Sequence, residues 1–222
     1  MSPRRSAAQA QQTRHLIVSA GVDIVSTEGL DAITLGRLAD ELALSKSGVA
    51  GHFGSKLDLQ LAVLSEAVRI YRREVIVPAA HAEPGLARLR TLVDAWISHL
   101  ERGVFTGGCF FTQVTTDYDS RPGPVRSVAR ELTDEWRAYL AEQIEIAVAD
   151  GAFEADTDVE QVIFEATGLM LSLNHAMQLD LDPKAIERAR SGFDRLISAC
   201  MAQPTPDAKV ADPVRLRSRA RW

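Results

Sequence analysis

Residues 34–53 contain two short helical segments separated by only two residues, Ala43-Leu44, and this spacing restricts the fold more than any other feature of the chain. Thr34 can cap a first helix through Leu42, with Leu35, Leu38, Ala39 and Leu42 on one face. Ser45 can cap a second helix running to about Phe53. Two helices that close together must cross at a steep angle, and Ala39 supplies the small residue such a crossing needs. Leu38, Leu42, Leu44, Val49 and Phe53 form the apolar seam, which leaves Lys46, Ser47, Gly48, Ala50, Gly51 and His52 facing outward. Small and polar side chains on an outward face suit a helix that enters the major groove of DNA.

The rest of the chain also reads as helix. Ile17, Ala20, Gly21, Ile24 and Val25 follow a helical period from Gln12 to Thr27, with Gly29 as the stop. Ser55-Lys56-Leu57-Asp58 reads as a capping box that opens a long helix to about Val77, where Pro78 is expected to end it. Further helices are expected near 86–102, 108–118, 124–150, 158–179 and 183–201, divided by glycine and proline breakers, with His81–Gly85 as a linker-like break. No strand alternation and no repeat appear. The expected fold is all-α with about nine helices. Its parts are a disordered N-terminus (1–11), a helix-turn-helix domain (12–60), a larger helical domain (61–202) and a disordered basic tail (203–222).

Charge is unevenly placed. The 222 residues carry a net charge of −5, yet residues 1–60 balance Arg4, Arg5, Arg14, Arg37, Lys46 and Lys56 against six acids. A neutral head on an acidic body suits a protein that meets phosphate at one end. Two cysteines, Cys109 and Cys200, fit no zinc or redox spacing, so no metal and no cofactor are expected. No apolar run is long enough to span a membrane, and a reduced, cytoplasmic setting is expected. An enzymatic reading would rest on His99, Cys109 and His175, but no HExxH, no CxxC and no acid at a telling offset accompanies them.

At this point the sequence resembles the tetracycline-repressor (TetR) family of bacterial regulators. The resemblance rests on Gly29-Leu30-Asp31-Ala32-Ile33-Thr34, on Leu38 through Val49, and on His52-Phe53-Gly54-Ser55-Lys56, and it covers about residues 12–65. Gly107-Gly108-Cys109-Phe110-Phe111 and Asp119 through Pro124 look like segments of one subgroup. Ala50 departs from the pattern, where many members have tyrosine, and Gly51 replaces a larger residue.

Lys46 and Lys56 are placed for phosphates, and Arg37 for backbone or a base edge. Ser47, Gly48, Ala50 and Gly51 should face bases, while Thr34 and Ser45 serve mainly as caps. His52 suits helix packing or a phosphate as well as a base. The resemblance implies a homodimer on a palindromic double-stranded operator, with a small-molecule effector. Interface candidates are Val162, Ala166, Leu169, Met170, Leu173, Phe193, Leu196 and Ile197. Ligand-contact candidates are Trp96, His99, Phe105, Cys109, Phe110, Gln113, Trp136, Tyr139, Asn174 and His175. As a group these point to a largely apolar ligand, and the leading reading is a ligand-released repressor; an activator, or a DNA-binding dimer without an effector, is the alternative.

Overall fold

The computed structural model describes residues 3–202, and the tail expected at 203–222 lies outside the described residues. Among the described residues the fold is all-α. The elements are α1 (Pro3–Glu28), α2 (Leu35–Glu41), α3 (Lys46–Ala50), α4 (Lys56–Tyr71), α5 (Leu86–Glu101), α6 (Phe110–Tyr118), α7 (Pro124–Ala149), α8 (Val159–Gln178) and α9 (Ala185–Cys200). One isolated antiparallel bridge, Phe153 with Met201, ties the α7–α8 loop to the end of α9. No described helix is long and apolar enough to cross a membrane.

Two expectations are corrected. The first helix starts at Pro3, so the segment expected to be disordered is helical from that residue on. Ala7, Gln9, Ala10, Gln11 and Gln12 are strong helix formers that propagate the turn without burying anything. Likewise, Pro78 does not end the long helix. A π-helical turn over Arg72–Ile76 follows α4, and the rod continues through Val77–Ala79. Proline clashes with the carbonyl four residues back. The wider turn removes that conflict by sending the Val77 N–H to Arg72 O.

Two apolar cores organise the molecule. The first joins α1–α4 to Phe105, Phe110, Val114, Val125 and Ala129. The second fills the space among the end of α4, α5, α7, α8 and α9. The head therefore does not close its own core at residue 60. Its lower side is completed by the loop before α6, by α6 itself and by the start of α7. One glycine allows this approach, and another lets α1 and α4 close on each other. A side chain on Gly107 would place its Cβ 1.5 Å from Ser26 O, and one on Gly21 would meet Val63 Cγ2 at 2.5 Å. The first neighbour is backbone and cannot move aside.

His99 lies at the junction of the two cores. It is 0% exposed. Its ring stands edge-on to Tyr71 (5.7 Å) and Phe105 (5.2 Å), and neither nitrogen has a hydrogen-bond partner among the described residues. Burial, reinforced by Arg102 and partly opposed by Glu74, lowers its pKa from 6.5 to about 4.

Two outcomes are expected. Gly107→Ala should destabilise the fold by at least about 2 kcal/mol in urea unfolding, because overpacking against fixed backbone forces a shift. Gly103→Ala, with no described residue within 4 Å of the new Cβ, serves as the strain-only control. Between pH 6.5 and 4 the unfolded His99 takes a proton that the folded protein refuses. Stability is thus complete above pH 6.5 and falls by roughly 3 kcal/mol toward pH 4 from this group. His99→Phe should flatten that part of the stability–pH curve; an unchanged slope would show that His99 does not govern it.

Candidate functional site

The head presents α2 and α3 in the geometry of a helix-turn-helix. Thr34 Oγ1 accepts from Arg37 N (3.1 Å) at the start of α2, and Ser45 Oγ accepts from Gly48 N (3.0 Å) at the start of α3. The turn between them is a Schellman closure: Leu44 N donates to Ala39 O (2.8 Å) and Ala43 N to Asp40 O (3.3 Å). Ala43 takes the left-handed conformation that this closure demands, at φ 51°. Ser55 Oγ accepts from Asp58 N (3.1 Å) and donates to Asp58 Oδ2 (2.8 Å), which fixes the entry into α4.

Lys46, Ser47, Gly48, Ala50 and Gly51 are exposed on and after α3, and His52 is half-buried beside Phe53. The regular helix stops at Ala50, short of the expected Phe53. Lys46 has no hydrogen-bond or ion-pair partner among the described residues. The other two expected cations are engaged. Arg37 forms a two-pronged pair with Glu28 (2.7 and 2.5 Å), which lowers the Glu28 carboxyl pKa and raises that of the guanidinium. Lys56 Nζ donates to Asp31 O (2.8 Å).

Head and body meet through polar contacts as well as the shared core. With its amide assigned so that the donor faces acceptors, Gln113 Nε2 donates to Ser26 O (2.7 Å) and its oxygen accepts from Gly29 N (3.1 Å). It thereby caps the C-terminal end of α1. Asp31 accepts from Tyr118 Oη and from Arg121 Nη1, both at 2.8 Å. The Tyr118 bond is the main cause of the lowered Asp31 pKa. Burial and the same bond push Tyr118 up to about 12.

Beneath the head, α4, α5, α6, α7 and α8 line a partly open cavity of about 400 Å³. Of the expected ligand contacts, Trp96, Cys109, Trp136 and Tyr139 line it. The other expected ligand contacts are not among its lining residues. His99 sits behind Tyr71, while Phe105 and Phe110 belong to the shared core. Gln113 caps α1. Asn174 Oδ1 accepts from Cys109 N (2.7 Å), and exposed His175 lies 3.9 Å from Asp180. Sequence reasoning missed the walls from α4 (Leu64, Val68, Tyr71) and from α6 (Phe111, Thr112, Thr115). The run of apolar residues on two faces of α4 was the available signal.

Three of the interface candidates are corrected. Met170, Leu173 and Phe193 are buried in the chain's own core. Val162, Ala166, Leu169, Leu196 and Ile197 are half-buried, and all but Leu196 pack on that core. The outer face of α8 instead exposes Phe164 and Leu171, with Leu179 just past its end, at helical spacing around Gly168.

Residues 85–193 match the family model of the tetracyclin repressor-like C-terminal domain. A curated relative, the HTH-type transcriptional regulator SrpR of Pseudomonas putida, is 32% identical over 62 residues, 28% of this chain and 29% of that protein. The match thus spans under a third of that relative's length. The structure of a TetR transcriptional regulator from Chloroflexus aurantiacus J-10-FL superposes with a TM-score of 0.81 at 20% identity, covering 89% of this chain and 100% of that one. AibR, solved with isovaleryl coenzyme A and operator DNA, superposes with a TM-score of 0.66 at 15% identity, covering 85% and 97%. With the helix-turn-helix head, the nine-helix layout of the described residues and the matched C-terminal domain in agreement, the chain belongs to the TetR family of transcriptional regulators.

Proposed function

We propose that this chain binds a palindromic DNA operator as a homodimer in the cytoplasm, and that a small, largely apolar ligand filling the cavity releases it. The observation that carries this reading is the double use of α4 and α6. The first turns of α4 belong to the head, where Ser55 caps it and Leu59 is buried, while Leu64, Val68 and Tyr71 line the cavity. On α6, Phe110 and Gln113 hold α1, whereas Phe111, Thr112 and Thr115 line the cavity. A molecule entering the cavity therefore presses on the same helices that orient the head. The cavity's size and its apolar walls with a few hydroxyls fall within the range of small-molecule sites. Among structural neighbours, AibR is solved with both an acyl coenzyme A and operator DNA.

On the DNA side, Lys46 is the phosphate contact, and the exposed edge of Ser47, Gly48, Ala50 and Gly51 faces the groove, with Thr34, Ser45 and His52 at its margins. Arg37 and Lys56 act chiefly within the head through their partners Glu28 and Asp31. The homodimer forms through the α8 and α9 faces, with Phe164, Leu171 and Leu179 added to the half-buried candidates.

Selection of bound duplexes from a random pool should return a palindromic site; the absence of any enriched sequence would overturn the reading. On that site, Lys46→Ala should weaken binding by about 1 kcal/mol and lower the salt slope by about one unit. Arg37→Ala should change the slope less, because its charge is already paired. Equal slope changes for the two variants would show that the Glu28 pair opens on DNA.

A further inference from the structure

The interior of the cavity carries no formal charge. Of its lining residues only Arg72 and Glu135 are ionised; both are exposed, and they are opposite in sign. An ion taken inside would lose its hydration without meeting a fixed counter-charge, which costs several kcal/mol. The rim therefore favours neither a cation nor an anion.

One polar group inside has its ring held from three sides. Thr112, Thr115, Thr133, Thr167 and Tyr139 also bring hydroxyls to the cavity, and those of Thr115 and Thr133 donate to Phe111 O (2.7 Å) and Ala129 O (2.9 Å). The Tyr71 hydroxyl makes no hydrogen bond to any described residue, and its half-buried side chain lines the cavity. Its ring is fixed by edge-on contacts to His99 (5.7 Å), Phe111 (5.2 Å) and Trp136 (5.9 Å). Burial, with a contribution from Cys109, holds its pKa well above the ordinary value, so the group is a proton donor at any working pH. With no protein acceptor taken, this hydroxyl is free to donate to an acceptor that a ligand supplies.

Backbone geometry points the same way. Tyr71 is the last residue before the π-helical turn, and Tyr71, Arg72 and Ile76 all line the cavity. Such turns are frequent at functional sites. The aromatic rings of Phe111, Trp136 and Tyr139 complete walls suited to a flat molecule.

We propose that the ligand is a neutral, flat, mainly apolar molecule bearing an acceptor oxygen, and that Tyr71 Oη donates to that oxygen. This deepens the effector reading and rests on the cavity being its site. The probes are 2-acetylnaphthalene, the hydrocarbon 2-ethylnaphthalene and the anion 2-naphthoate, titrated calorimetrically into the full chain without DNA.

The ketone should bind at least tenfold more tightly than the anion. Tyr71→Phe should weaken the ketone at least fivefold while changing the hydrocarbon less than twofold, and its thermal midpoint reports that the fold is kept. Equal ketone affinity in the two proteins, tighter binding of the anion, or no binding of the ketone would overturn the proposal. Release of the selected DNA by the ketone is read separately. Tyr71-dependent binding without release would sink the effector reading and leave the ligand chemistry standing.

Discussion

The contact between Gly107 and the backbone of Ser26 is the constraint on which the rest of the arrangement depends. No side chain fits there, so the loop before α6 meets the last turn of α1 backbone to backbone. That approach lets Phe105, Phe110 and Val114 enter the head's core. Each such burial is worth roughly 1.5–3 kcal/mol, which is large beside the stability of a head this small. Around the same point Gln113 satisfies the carbonyls that α1 leaves open, and Asn174 reaches from α8 to the Cys109 N–H. Head and body therefore share one packed unit, and the head's orientation follows α6.

Much of this was legible in the sequence where the cause is local. Thr34, Ser45 and Ser55 announce helix starts because a side-chain oxygen three residues before an open N–H is a short-range fact. Gly29 and Gly85 mark stops or starts for the same reason, each taking a positive φ. The starts of α5–α9 were set by breakers the chain displays openly. The start of α1 was misread because an exposed run of alanine and glutamine has no apolar period, yet propagates a helix well. Pro78 was misread because a proline's effect depends on whether the preceding turn can widen, and the sequence does not display that.

The candidate site was legible in a more limited way. The outward edge of α3 followed from the seam that α2 and α3 must bury. The fate of the polar residues did not. Gln113 and Asn174 look like cavity groups in the sequence, since buried amides in apolar helices often meet ligands. In the fold both are engaged by backbone groups more than sixty residues away. Arg37 and Lys56 look like free cations, and their partners come from the end of α1 and the turn after it. Met170, Leu173 and Phe193 look like an interface stripe, and the same apolar period serves the chain's own core. In every case the deciding neighbour is distant in sequence, so periodicity could name the face but not what covers it.

The engaged cations affect how such a head would read DNA. With Arg37 and Lys56 held by Glu28 and Asp31, the free positive charge beside α3 is concentrated at Lys46. An edge of Ser47, Gly48, Ala50 and Gly51 offers few hydrogen bonds to bases. Recognition would then lean on close backbone approach and on the shape of the groove. It would also depend on the distance between the two heads of a dimer, because weak local contacts become specific only when both half-sites are met together. Such a head is sensitive to small changes in its orientation. A ligand pressing on α4 and α6 need not unfold anything; it need only bind better when the heads are set at the wrong separation.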